Sequence, residues 1–348
     1  LGLDFYRKAI EYERKYAGEK VIHNTIQTNG TLLNREWARF FHDNDFLVGI
    51  SLDGPKDIHD RYRKDKGGFP TFDRVMSGLN ILKGEGVEFN TMSTVNHASE
   101  GRGLETYIFL KEVGSGFMQF MPVVEHVKYP LNGAGKPDKK KRPYIVDPKT
   151  DGAVIAPWSV SDIGFGRFLC GIFDYWVRND VGRCFVTNFD ATLANWVGEM
   201  PGTCTFAQTC GGNTVIEHNG DLYPCDHFVY KDYLLGNITD KSIAEMMHSD
   251  KQTAFGIDKR NKLPTKCLRC EWLFACNGEC PKHRFNTYES RQARGGARIE
   301  TDLNALCAGY QMFFSHVAPY MDYMKDLLSR KMSPAYVIPW ARSRSIQR

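Results

Sequence analysis

Along the first 125 residues the apolar positions switch between a helical and a strand period. Residues 3–16 space Phe5, Ile10, Tyr12 and Tyr16 as in an amphipathic helix. Residues 21–28 form a short β-rich run ending in Gln27-Thr28-Asn29-Gly30, and residues 32–42 return to the helical period. Residues 47–52 are almost wholly apolar, which predicts a strand covered on both faces, and Asp53-Gly54-Pro55 ends it with a turn. A helix at 72–83, a strand at 87–95, a helix at 104–113 and a strand at 117–124 follow. Helices and strands alternating across short polar turns predict an α/β fold whose parallel sheet has right-handed crossovers, either open or closed into a barrel. Such folds collect catalytic groups at the C-terminal ends of their strands. Those ends carry Gln27 and Asn29, Ser51 and Asp53, Thr94 and Asn96, then Val123, Val124 and Glu125.

The periodicity stops at residue 126. Residues 126–163 are rich in Pro, Gly and Lys and predict a long surface loop or lid. A strong helix follows at 165–179, inside a helical connection spanning 164–203. The stretch 204–310 shows little regular pattern beyond one hairpin, 213–217 against 222–223, turning at His218-Asn219-Gly220-Asp221. Residues 311–329 form one amphipathic helix, and the tail from 331 to 348 is expected to be disordered. There is no internal repeat.

Composition narrows the class. With 348 residues, 42% hydrophobic and 13% aromatic, the chain can bury an ordinary core. A net charge of +4 does not demand a nucleic-acid partner, and the basic run Lys139 to Arg142 suits a solvated loop. No apolar run approaches the 18 residues a membrane span needs, and no secretory signal pattern opens the chain.

The cysteines carry the chemistry. Eight of the ten lie between 204 and 307, as Cys204-x5-Cys210-x14-Cys225 and then Cys267-x2-Cys270-x5-Cys276-x3-Cys280 and Cys307. Packing gives no reason for such clustering, whereas eight thiolates suit two four-thiolate sites. A disulfide framework would fit a small secreted domain, which this is not. Two structural zinc sites remain open, although the single C-x2-C and the x5 and x3 spacings suit paired knuckles poorly. Two iron–sulfur clusters are the leading expectation, in a reducing compartment such as an anaerobic cytoplasm. Cys170 and Cys184 have no such neighbours and read as buried small hydrophobes.

The series Cys210, Gly220, Cys225, Cys267, Cys270, Cys276, Cys280 and Cys307 resembles the seven-cysteine SPASM domain of radical S-adenosylmethionine peptide-modifying enzymes. The upstream part resembles their partial (β/α)6 barrel through Gln27-Thr28-Asn29-Gly30-Thr31 and the motif 51–63 that opens Ser51-Leu52-Asp53-Gly54-Pro55 and ends at Arg63. Within that superfamily the segments 219–228 and Leu235-Gly236-Asn237-Ile238 are similar to anaerobic sulfatase-maturating enzymes. The implied architecture is the remainder of a radical S-adenosylmethionine barrel (1–125), its insertion, and a cysteine-rich domain binding two Fe–S clusters. Neither the family's C-x3-C-x2-C loop nor its Gly-Gly-Glu-Pro motif occurs in the chain. The resemblance therefore implies a piece whose first strands are missing, with a third [4Fe–4S] cluster and S-adenosylmethionine cleavage belonging to the intact parent.

The same resemblance implies roles for individual residues. Ser51 and Arg63 would hold the carboxylate or ribose of S-adenosylmethionine, Val124 would give backbone contacts to its adenine, and Gln27 and Asn29 could read an amide or simply form a turn. One auxiliary [4Fe–4S] cluster would take Cys204, Cys210, Cys225 and Cys280; the other would take Cys267, Cys270, Cys276 and Cys307. Asp226 would be the general base, accepting a proton as a Cys or Ser of an unfolded sulfatase segment is oxidised at Cβ to Cα-formylglycine. A ferredoxin or flavodoxin would supply electrons, in the cytoplasm. Other expectations the residues leave open are a maturase making thioether or carbon–carbon bonds, and a non-enzymatic zinc or Fe–S protein.

Overall fold

The structure, a computed structural model, describes residues 1–292 and 296–344. It divides into two compact units.

The first unit comprises Leu1–Thr94, Leu104–Met121 and Arg183–Val186. Its sheet is ordered β1 (Thr25–Thr28), β2 (Leu47–Ser51), β3 (Phe89–Val95), β4 (Phe117–Pro122) and the short strand Phe185–Val186. β1 with β2, β2 with β3, and β4 with Phe185–Val186 run parallel, as the alternating pattern requires. Val48, Gly49 and Ile50 are all buried, so β2 is covered on both faces. Helices α1 (Leu3–Tyr16), α2 (Arg35–Asp43), α3 (Lys56–Tyr62), α4 (Phe72–Gly84) and α5 (Gly103–Glu112) supply the covering layers. The core is built from Phe41, Val48, Ile50, Leu79, Leu82, Leu110 and Phe120.

Two local differences from the sequence pattern have plain causes. α2 begins at Arg35 and not at 32, because the Asn34 side chain accepts the Trp37 N–H at 3.0 Å and caps the helix there. α1 has the expected length, yet only Ile10 is buried while Phe5, Tyr12 and Tyr16 stay exposed.

The second unit comprises Val95–Gly103, Pro122–Gly182 and Thr187–Arg348. Its spine is α6 (Asp162–Asn179) packed on the long helix Cys307–Ser329. The two backbones meet at a glycine pair: a Cβ on Gly166 would lie 2.6 Å from the Gly309 carbonyl oxygen, and one on Gly309 would lie 1.9 Å from that of Asp162. Around this crossing sit Phe165, Phe173, Phe189, Tyr310, Phe313 and Phe314, all fully buried. Phe189 belongs to α7 (Thr187–Val197) and meets Phe173 edge-on at 5.2 Å.

Several expectations for this unit need correction. The insertion at 126–163 is not a plain loop: His126–Lys128 pairs antiparallel with both Tyr144–Val146 and Val154–Ile155. Strands of three residues or fewer are too short to show a period. The tail is ordered as far as the description goes: Val337–Arg342 is helical, with Val337 and Ala341 at 0% exposure. Trp340 stacks on Tyr323 at 4.6 Å, and the Arg342 Nε donates to the Arg178 carbonyl at 2.8 Å. Burial of this apolar face orders the segment; residues 345–348 of the expected tail lie outside the described residues. The cysteine-rich stretch also holds more regular structure than its pattern shows, notably the helix Asp250–Asn261 and the hairpin Arg284–Gln292 with Gly296–Asn304. Among the described residues no helix is long and apolar enough to cross a membrane.

Candidate functional site

In the first unit, the parallel register places Gln27 of β1 opposite Gly49 of β2. The Gln27 Nε2 donates to the Ser51 hydroxyl at 3.1 Å, so these two predicted residues meet at neighbouring strand ends. Asn29 turns inward on its own loop: its Oδ1 accepts from the Thr31 N–H at 3.2 Å and the Thr31 hydroxyl at 2.9 Å. It therefore acts as the Asn of a turn.

Arg63 is engaged by Asp53, which the sequence places at a strand end but does not pair with it. Its Nε donates to Asp53 Oδ2 at 2.7 Å and its Nη2 to Asp53 Oδ1 at 2.9 Å, a bidentate fork. Asp53 is 2% exposed, and Oδ1 also accepts from the Thr94 N–H and hydroxyl at 2.8 and 2.9 Å. A buried carboxylate needs that saturation, so Arg63 ties the ends of β2, α3 and β3 together through Asp53. His59 completes the knot: its Nδ1 accepts the Asp53 N–H at 3.4 Å, and Nε2 meets the Thr71 hydroxyl at 3.1 Å. Burial pushes the His59 imidazole down to about 4, which keeps it the neutral acceptor that Asp53 requires.

Val124 lies in the second unit and is 4% exposed. Its neighbours are fixed by backbone bonds, Val123 N–H to Val95 O at 2.8 Å and Val160 N–H to Val123 O at 2.9 Å.

The same unit holds all eight clustered cysteines, and every cysteine of the chain is a free thiol. Cys267, Cys270, Cys276 and Cys307 line one small cavity, closed by Trp272, Leu273, Tyr310 and Phe314. Cys307 opens the long helix four residues earlier than its apolar pattern begins, where Asn304 Oδ1 receives the Leu306 N–H at 2.8 Å. Cys204, Cys210, Cys225 and Cys280 are joined differently. Cys204 interacts electrostatically with Cys210 and Cys225, and Cys225 with Cys280.

Cys276, which lines that cavity, is separated from Cys280 by only three residues, Asn277, Gly278 and Glu279. All three adopt positive φ, at 48°, 70° and 53°. Successive left-handed residues reverse the chain sharply, and a side chain at 278 would strike Leu263 and Arg284. Glu279 is buried but ionised: burial pushes its carboxyl up, and His283 more than offsets this together with the Asn304 amide. Those contacts are 2.9 and 2.6 Å long.

Helix Asp250–Asn261 holds the other quartet in place. Its buried face is Gln252, Gly256 and Lys259. Gly256 accepts the Cys210 N–H at 3.2 Å, Gln252 Nε2 donates to the Gly211 carbonyl, and Lys259 Nζ donates to the Cys204 and Thr205 carbonyls. Asp226 stands beside this quartet, solvent-facing, with Oδ1 3.2 Å from Cys225 Sγ and 3.1 Å from the His227 N–H. The His227 Nδ1 lies 3.4 Å from Cys280 Sγ.

Burial foremost pushes Cys225 up to about 12 and Cys267 to about 11, and raises Cys276 and Cys280 further. Loading a metal group must therefore release protons. Four thiols around one cavity provide the four-thiolate donor set that a [4Fe–4S] cluster requires. Among the described residues no three His, Cys, Asp or Glu groups converge on a single-ion site.

Comparison with known proteins agrees with this geometry. Residues 1–105 match the Radical SAM superfamily, and residues 204–271 match the iron-sulfur cluster-binding domain SPASM. The chain is 48% identical, over 99% of its length and 80% of the relative's, to a serine-type anaerobic sulfatase-maturating enzyme of Bacteroides thetaiotaomicron. It is 31% identical, over 94% of its length and 80% of the relative's, to a cysteine-type enzyme of Clostridium novyi. A solved structure of native anSMEcpe with bound AdoMet and Cp18Cys peptide superposes with a TM-score of 0.78 at 28% identity, covering 94% of this chain and 82% of that one. With this fold, these cysteines and these relatives, the chain belongs to the anaerobic sulfatase-maturating enzymes of the radical S-adenosylmethionine superfamily.

Proposed function

We propose that the intact enzyme to which this chain belongs oxidises a serine, or a cysteine, of an unfolded sulfatase segment to Cα-formylglycine, with Asp226 as the general base. The observation that carries it is the Asp226 carboxylate set 3.2 Å from the sulfur of Cys225. Two cysteine quartets hold two [4Fe–4S] clusters in this reading: Cys204, Cys210, Cys225 and Cys280 for one, and Cys267, Cys270, Cys276 and Cys307 for the other. When bound, S-adenosylmethionine supplies the hydrogen-abstracting chemistry and the clusters supply a route for an electron.

The residues do the rest. Removing one hydrogen atom from the substrate Cβ, one proton from its hydroxyl and one electron converts CH2OH to an aldehyde, so a base must stand beside that oxygen. Asp226 faces solvent beside the cluster ligand Cys225, where it can take the hydroxyl proton while the electron leaves the adjacent Cβ radical toward the cluster. Ser51 and Gln27, joined at the strand ends, present a hydroxyl and an amide to the polar part of S-adenosylmethionine. Arg63 shapes that edge through Asp53. A ferredoxin- or flavodoxin-type donor and a reducing cytoplasm suit eight thiolate ligands. The relative that is 48% identical is serine-type, which supports a serine substrate.

Asp226→Asn tests this in enzyme that forms 5′-deoxyadenosine. Formylglycine should fall by about 10²–10⁴-fold on a serine peptide, the usual contribution of a general base. Deoxyadenosine release should continue, because the base acts after hydrogen removal. The loss should be smaller on a cysteine peptide, whose thiol is far more acidic than a hydroxyl. Unchanged formylglycine yield on both peptides would reject Asp226 as the base.

A further inference from the structure

Two cations are buried where the chain passes from one thiol quartet to the other. Lys259 is 1% exposed and Arg284 is 9% exposed. Neither has a carboxylate among its hydrogen-bond partners in the described residues. Lys259 Nζ donates to the carbonyls of Cys204 and Thr205. Arg284 donates to four carbonyls: Gly278 at 2.9 Å, Lys259 at 2.6 Å, and Asn277 and Glu279 at 3.1 Å. Three of those four belong to the left-handed turn between Cys276 and Cys280.

Backbone carbonyls solvate a cation but do not neutralise it, and a buried charge is costly without an opposite one. The one buried carboxylate nearby, Glu279, is already held by His283 and Asn304. Beyond Glu279, the opposite charge within reach of both cations is the thiolate sulfur of a loaded cluster. Besides Glu279, Lys259 interacts electrostatically with Cys210 and Cys280, and Arg284 with Cys267, Cys276 and Cys280. Four thiolates around a four-iron core leave the whole group negative, and one-electron reduction makes it more so. A fixed cation in a dry site favours the reduced form.

We propose that Lys259 and Arg284 are charge-compensating residues between the two cluster sites that raise the clusters' reduction potentials. Lys259 acts on the site of Cys204, Cys210, Cys225 and Cys280, and Arg284 acts on both sites. The proposal rests on the cluster assignment above and adds to it the residues that set where an electron from the substrate can settle. Arg284 has a second task, since its fork braces the turn that separates Cys276 from Cys280. Lys259 has a lighter structural role and is the cleaner probe.

The test is a reductive titration of the anaerobically reconstituted chain followed by electron paramagnetic resonance. The two signals are assigned with Cys276→Ala and Cys280→Ala, each of which keeps one cluster. Lys259→Met should move the Cys280-site potential to more negative values and leave the Cys276-site potential in place. Lys259→Arg, which keeps the charge, should restore it. If Lys259→Met loads too little iron to titrate, Lys259→Gln carries the same test, because its amide can still donate to a carbonyl. Full iron with unmoved potentials in the neutral variants would overturn the proposal. A wild-type chain that takes up no sulfide would instead reject the cluster assignment, and this proposal with it.

Discussion

Replacing Cys276 or Cys280 by alanine should remove one cluster each, and not the same one. Spacing alone would group Cys267, Cys270, Cys276 and Cys280 as four neighbours in sequence. The proposed assignment breaks that group. Cys276 shares a cavity with Cys267, Cys270 and Cys307, while Cys280 meets His227 at 3.4 Å and interacts with Cys225. Between them Asn277, Gly278 and Glu279 all have positive φ, so the chain reverses sharply from one cysteine to the other. A four-iron cluster has one thiolate per iron, so each variant should retain about four of about eight irons. The surviving signals should differ between the two variants and add to that of the wild type. Loss of the same signal from both would show that the two cysteines share a site.

The glycine crossing gives the second large effect. Gly309→Ala should destabilise the chain by about 3 kcal/mol, toward the upper end of overpacking costs. Its Cβ would stand 1.9 Å from the Asp162 carbonyl oxygen and 3.1 Å from the Gly166 nitrogen, both of them backbone atoms of a helix. No rotamer change relieves such a clash. The helices must part, and Phe165 and Tyr310, which meet edge-on at 5.6 Å, part with them. Better helix propensity returns only about 1 kcal/mol. Gly171→Ala in the same α6 is the matched control, since nothing lies within 4 Å of its Cβ position, and it should gain up to about 1 kcal/mol. Denaturant midpoints of the two variants should move in opposite directions. A Gly309→Ala midpoint equal to that of Gly171→Ala would refute the close crossing.

The elements that the sequence makes visible are those stabilised by repeated apolar contacts. β2 is visible because Val48 and Ile50 are buried with Gly49 between them, and α6 because it buries Phe165, Phe168, Leu169, Phe173 and Trp176 along one stripe. Helix Asp250–Asn261 is invisible to that logic, since the face it buries is Gln252, Gly256 and Lys259. Those residues are there to hold the carbonyls and N–H groups of the Cys204–Gly211 stretch, which a hydrophobic period does not report. The insertion strands are missed for length, and the terminal helix because six residues are fewer than two turns.

The candidate site divides in the same way. Thiol clustering shows in the sequence because cysteine is rare and its spacing is not random. The partition of the quartets depends on three backbone torsions and on folding, so no spacing rule contains it. Arg63 stands out as a fork for a carboxylate, but the carboxylate it holds is Asp53, ten residues earlier in its own motif. A buried Asp next to a turn Gly-Pro carried that signal unused.

Iron, acid-labile sulfide and zinc, counted per chain after anaerobic reconstitution, test the central claim most directly. About eight irons and eight sulfides place two four-iron clusters on the eight thiols, as the geometry predicts. About two zincs without sulfide would contradict it and leave a structural metalloprotein with four-cysteine sites.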